Sequence, residues 1–156
     1  MGGQAPTFRR PTCEQQLFYG IMAAVESEQV SKILIVDDEK PLVGVLQQIL
    51  SLDFPEVRID AAFSGEEALS RLAGSGYDLI IADLRMPGFD GLELIKGVRY
   101  MEPEVPIILM TAFGSESVKG QADQLGVNHY LDKPFDVNEI VRVVGYYLSG
   151  HERSDG

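Results

Sequence analysis

Asp37, Asp38, Asp83, Thr111 and Lys133 are the residues of this chain best placed to do chemistry, because each closes or follows an apolar run. Ile33-Leu34-Ile35-Val36 leads into Asp37 and Asp38, Leu79-Ile80-Ile81-Ala82 into Asp83, and Ile107-Ile108-Leu109-Met110 into Thr111, while Lys133 stands just past Leu131. Taken singly, an aspartate after a strand reads as a turn or helix cap, a threonine as a capping hydroxyl and a lysine as a solvated charge. Their recurrence at successive, equivalent places is hard to assign to caps. Neighbouring carboxylates raise each other's cost of ionisation unless a cation lies between them. Three carboxylates and an ammonium therefore call for a hard divalent ion, and Mg²⁺ favours carboxylate, carbonyl and water oxygens. Metal and lysine together neutralise a phosphoryl group in transfer, where positioning and charge stabilisation supply nearly all the catalysis. A carboxylate in such a site can itself be the nucleophile, giving an aspartyl phosphate.

These residues meet only if the elements that precede them lie side by side. The runs at 33–36, 78–83 and 106–111 are short, rich in β-branched residues and bounded by polar or turn residues, which predicts buried strands. Residues 57–61 alternate like a strand and 128–131 make a short fifth one. Pro41 suits a first helical turn, and Leu42, Val43, Val45, Leu46, Ile49 and Leu50 recur at helical spacing to about Leu52. Ser64 with Glu67 forms a capping-box pattern for a helix to about Ala73. Met86 to Gly91 reads as a loop, and Leu92, Leu94, Ile95 and Val98 carry a helix to about Met101. A weakly apolar helix from Ser115 to about Leu125 follows, and Asp136 caps a last one through about Leu148. The alternation predicts an α/β domain with a parallel sheet covered on both faces and right-handed crossovers. Such a sheet places its ligands beyond the carboxyl ends of its strands.

With 156 residues and 45% hydrophobic content, the chain suits one cored domain rather than two. A formal net charge of −11 disfavours a DNA or RNA surface and suits protein partners or bound cations. Cys13 is the sole cysteine, so no internal disulfide is possible. No apolar run approaches the roughly 20 residues of a transmembrane helix. Arg9-Arg10 followed by Leu17 to Val25 loosely mimics a signal sequence, but Pro11, Glu14 and the short apolar run argue against it. Residues 1–30 read as an N-terminal extension or leader, with a short helix from Glu14 to about Glu26 as the alternative. Residues 31–149 read as the domain, and 150–156 as a polar C-terminal tail.

From about Ser31 to Leu148 the sequence resembles the receiver domains of bacterial two-component response regulators. The resemblance rests on Val36-Asp37-Asp38-Glu39, on Asp83 to Gly91, on Met110-Thr111-Ala112, and on Tyr130-Leu131-Asp132-Lys133-Pro134-Phe135. It implies a flavodoxin-like doubly wound (βα)5 sheet of strand order 2-1-3-4-5. Asp83 then looks like the phospho-acceptor, Asp38 like a direct Mg²⁺ ligand, Asp37 like its water-mediated or alternating neighbour, and the backbone carbonyl of Arg85 like a third protein ligand. Lys133 resembles the lysine that pairs with phosphoryl oxygens, and Lys133-Pro134 the family's cis peptide. Thr111 resembles the switch hydroxyl, and Tyr130 the aromatic that turns inward with it, against the plain reading of a surface aromatic.

The resemblance also implies a cytoplasmic protein that catalyses only its own phosphorylation and dephosphorylation. Its phosphodonor would be a phosphohistidine of a sensor histidine kinase or histidine phosphotransfer protein. Its output would pass through a partner or an output domain, with no direct nucleic-acid binding and no membrane contact. The family's common dimer face, its fourth helix, fifth strand and fifth helix, is open to a homodimer here. Arg85 and Phe113 stand where family members influence water access, and both are bulky and unsuited to orienting water, which predicts slow loss of phosphate. His129 and His151 are isolated and read as surface residues. Two competing readings are a haloacid-dehalogenase-like phosphatase, which would carry an aspartate at Arg85, and a pseudo-receiver, which would lack an acidic residue, the acceptor or the lysine.

Overall fold

Long apolar stretches with two-residue alternation are what a sheet buried on both faces requires, and the strands of this chain use both faces. The structure, a computed structural model, describes residue 3 and residues 10–27, 30–86, 89–112 and 116–150. The chain divides into two units, Met1–Val30 and Ser31–Gly156.

In the first unit a helix, α1, spans Cys13–Ser27. It opens on a capping box, with the Thr12 N–H donating to Gln15 Oε1 at 3.0 Å and the Gln15 N–H donating back to Thr12 Oγ1 at 3.3 Å. Leu17, Phe18, Tyr19 and Ile21 are exposed on it.

The second unit runs β1 (Lys32–Val36), α2 (Lys40–Asp53), β2 (Arg58–Ala62), α3 (Gly65–Gly74) and β3 (Leu79–Asp83). A hairpin of two-residue strands, β4 (Arg85–Met86) and β5 (Phe89–Asp90), comes next. Then follow α4 (Gly91–Met101), β6 (Ile107–Thr111), α5 (Glu116–Gln124), β7 (His129–Asp132) and α6 (Val137–Leu148). The five longer strands form one parallel sheet in the order β2-β1-β3-β6-β7, the flavodoxin-like order expected from sequence. No described helix is long and apolar enough to cross a membrane.

Alternation divides the core in two. Leu34, Val36, Ile80, Ala82, Ile107 and Leu109 face the side covered by Leu94, Ile95 and Val98 of α4 and Ala122 of α5. Ile33, Ile35, Leu79, Ile81, Ile108 and Met110 face the side covered by Val43, Leu46 and Leu50 of α2 and Ile140, Val143 and Val144 of α6. Each such burial stabilises the fold by about 1.5–3 kcal/mol. The helix α5 contributes one fully buried apolar residue, Ala122, in keeping with its weakly apolar sequence.

Local signals set the helix starts. The Ser64 hydroxyl accepts from the Glu67 N–H at 3.1 Å and Glu67 accepts from the Phe63 N–H at 3.0 Å, so the predicted cap forms. Asp90 and Asp136 cap α4 and α6 by accepting from Leu92 and Asn138. Several details differ from the sequence reading, among them the second strand, which runs Arg58–Ala62 rather than 57–61. The stretch after Met86, expected as loop, contributes to the β4–β5 hairpin, whose pairs are Arg85 with Asp90 and Met86 with Phe89. The last strand ends at Asp132 rather than Leu131. The hairpin leads directly into Gly91, where an added Cβ would collide with the Leu84 carbonyl, so only glycine fits that approach.

Candidate functional site

Parallel strands deliver the residues at their carboxyl ends to one edge, and the backbone ladder continues past each strand to fix them there. The Asp37 N–H donates to Ala62 O at 3.1 Å, and the Lys133 N–H donates to Thr111 O at 2.7 Å. Asp37, Asp83 and Thr111 are the buried polar residues of this edge. Lys133 reaches across from the far strand by way of a cis peptide to Pro134. Its Nζ donates to Asp37 Oδ2 at 3.1 Å and to Asp83 Oδ2 at 3.2 Å, and lies 3.8 Å from Glu39 Oε1.

The carboxylates of Asp37, Glu39 and Asp83 each bring one oxygen within 4.8 Å of the others. Asp38 is exposed and is not in this cluster. Glu39, which the sequence reading treated as the end marker of the first strand, belongs to it. Each buried carboxylate is held by a second donor. Asp37 Oδ1 accepts from the Glu39 N–H at 2.9 Å, and Asp83 Oδ1 accepts from the Arg85 N–H at 3.1 Å.

Electrostatics follow from that crowding. Burial pushes the Asp83 carboxyl upward and the Asp37 charge adds to the push, against the Arg85 N–H and the Lys133 ammonium. Burial alone would weaken the Lys133 ammonium, but the Asp37 hydrogen bond and the charges of Asp83 and Asp37 outweigh it and raise its pKa. Three carboxylates against one ammonium leave the cluster short of positive charge. The all-oxygen donor set suits a hard divalent cation such as Mg²⁺.

Thr111 and Tyr130 sit on the other face of the sheet. The Thr111 hydroxyl donates to Asp132 Oδ1 at 2.9 Å, and the same oxygen lies 3.4 Å from Lys119 Nζ on α5. Thr111 donation and the Lys119 charge hold the Asp132 carboxyl below its ordinary value. The Tyr130 hydroxyl lies 2.6 Å from Asp123 Oδ1 and 3.1 Å from Lys119 O, so the aromatic is tied to α5 twice. Burial, then the Asp123 carboxylate, pushes the Tyr130 phenol strongly upward.

The structure therefore brings Asp37, Asp83 and Lys133 together and places Thr111 at the same sheet edge, with its hydroxyl on the opposite face. Arg85 contributes its backbone N–H, and its side chain is exposed. His129 is half-buried on β7. Phe113, Pro87, Gly88, Ser115 and His151 lie outside the described residues. Sequence reasoning did not single out Glu39 or Asp132, which lie against Lys133 and Thr111. The first stood in the triplet Asp37-Asp38-Glu39, and the second directly precedes Lys133.

The family description "Response regulator receiver domain" matches residues 33–145. The transcriptional regulatory protein ResD of Bacillus subtilis is 39% identical over 111 residues, 71% of this chain and 45% of ResD. The DNA-binding transcriptional regulator NtrC of Salmonella typhimurium is 34% identical over 120 residues, 77% of this chain and 25% of NtrC. The chain thus spans about half or less of the length of these relatives. Among solved structures, the chemotaxis protein CheY4 of Vibrio cholerae superposes with a TM-score of 0.70 at 26% identity, covering 76% of this chain and 99% of CheY4.

Proposed function

The chain belongs to the response regulator receiver family, and from that premise we propose that it accepts a phosphoryl group on Asp83 from a phosphohistidine, with Mg²⁺ bound at the neighbouring carboxylates. The single observation that carries this reading is Lys133 Nζ lying 3.1 Å from Asp37 Oδ2 and 3.2 Å from Asp83 Oδ2 at one sheet edge. An Asp83 oxygen attacks phosphorus and the new O–P bond forms as the P–N bond to the donor imidazole breaks. The imidazole, already protonated on its other ring nitrogen, takes the P–N electron pair and leaves neutral. The Arg85 N–H orients the nucleophile through its other oxygen, and Lys133 meets the negative charge of the phosphoryl oxygens. Asp37, Glu39 and Asp83 fit a divalent ion by chemistry and closeness, and Asp38 stands next to them on an exposed turn. A bound Mg²⁺ supplies the remaining positive charge for the transferred group.

The modified aspartate adds about −1.5 to −2 charge and three acceptor oxygens to the edge. Thr111 and Lys133 are the donors that answer it, and Tyr130 with α5 carries the change outward. The donor is a sensor histidine kinase or histidine phosphotransfer protein in the cytoplasm. Output passes through a partner or a further domain, and the chain catalyses only its own phosphoryl gain and loss.

The test is incubation with Mg²⁺ and acetyl phosphate followed by peptide mass spectrometry. Phosphoryl on Asp83, lost in Asp83→Asn and in excess EDTA, is the expected result. Modification at another residue, or uptake by the Asp83→Asn variant at the wild-type rate, sinks the reading.

A further inference from the structure

Thr111 is fully buried at the end of β6, so its hydroxyl must find an acceptor within the protein. The parallel register sets Thr111 beside Asp132 on β7, and Asp132 Oδ1 accepts at 2.9 Å. The Asp132 side chain is 80% exposed, so this is a solvated carboxylate reaching back to engage a buried hydroxyl. The same oxygen lies 3.4 Å from Lys119 Nζ, and Lys119 in turn stands 5.5 Å from the centre of the Tyr130 ring. One acceptor therefore joins the sheet edge to α5.

A hydroxyl has one proton to donate. Donation to Asp132 and donation to a phosphoryl oxygen on Asp83 are mutually exclusive. We infer that Asp132 is a positioning residue that holds Thr111 in its resting orientation, and so sets how readily phosphorylation captures Thr111 and releases α5. The inference rests on the phospho-acceptor reading above and assigns a part to a residue that reading leaves idle. A charged acceptor makes a stronger competitor than a neutral one. Asp132→Ala removes the competitor, while Asp132→Asn keeps an acceptor oxygen and loses the charge, so the two substitutions grade the effect.

The experiment titrates beryllium trifluoride, a phosphoryl mimic, into the full chain with Mg²⁺ present and follows backbone amide resonances. Loss of one competing hydrogen bond tightens the apparent Kd of Asp132→Ala by about fivefold, with Asp132→Asn between it and the wild type. In a Thr111→Ala background the Asp132→Ala substitution has no further effect, because the residue acts through that hydroxyl. An unchanged or weaker Kd for Asp132→Ala overturns the inference. So does equal tightening with and without Thr111, which marks a plain charge effect. A wild-type protein that binds no beryllium trifluoride with Mg²⁺ overturns the phospho-acceptor reading itself and the inference with it.

Discussion

Lys133 faces three carboxylates at once, two of them buried, and this makes it the residue whose loss the site tolerates least. Lys133→Met leaves Asp37 and Asp83 opposed without a shared donor. The ammonium is one-fifth exposed, so the cost is below that of a fully buried pair, at about 2 kcal/mol. Urea unfolding in EDTA reads this loss, and saturating Mg²⁺ is expected to restore part of it. Unchanged stability would show that the ammonium does not offset the carboxylate crowding. The charged trio was legible because apolar runs of fixed period end on Asp37 and Asp83, and the strand before Lys133 ends one residue short of it. Asp132 was not. Its strand is short and mixed in polarity, and the sequence reading ended it at Leu131, which left Asp132 outside the strand. Glu39 escaped for a different reason. Its place in the cluster comes from the turn after β1, which has no period to read.

At the scale of elements, Arg99 of α4 fastens the segment that follows α5. Its guanidinium donates to Leu125 O at 2.8 Å, Gly126 O at 2.8 Å and Val105 O at 2.6 Å, and reaches Asn128 Oδ1 at 3.3 Å. One planar fork thus ties the end of α5 to the segments entering β6 and β7. Arg99→Ala is expected to cost about 2 kcal/mol, since the buried Val105 carbonyl and the half-buried Leu125 carbonyl lose a charged donor. Hydrogen exchange should rise across α5 before it rises across α2. Uniform exchange in the variant would show that the helix is not anchored through this residue. Helix starts with a side-chain cap were readable, as at Ser64 and Glu67. The Thr12 and Gln15 box is the same pattern, and among the described side chains of α1 no buried stripe accompanies it. The β4–β5 hairpin was unreadable because two-residue strands have no alternation, and its Pro-Gly content signals loop.

For the molecule as a whole, strand order and crossover hand follow from alternation of apolar runs with amphipathic helices, and that much was plain in the sequence. What the chain signals to was not, since it spans 45% of ResD and 25% of NtrC. A carboxylate cluster on one rigid edge couples metal binding to global stability by mass action. Mg²⁺ at about a hundred times its dissociation constant adds about 2.7 kcal/mol, a rise of roughly 10 °C in Tm. Thermal unfolding with Mg²⁺ and with EDTA at matched ionic strength checks this, and identical curves would remove the metal from the account. Gly91 carries an implication for anyone who recombines such scaffolds. Because a methyl group there would meet the Leu84 carbonyl, a segment grafted after β3 must bring its own glycine, and an atom that is missing decides which chimaeras can close.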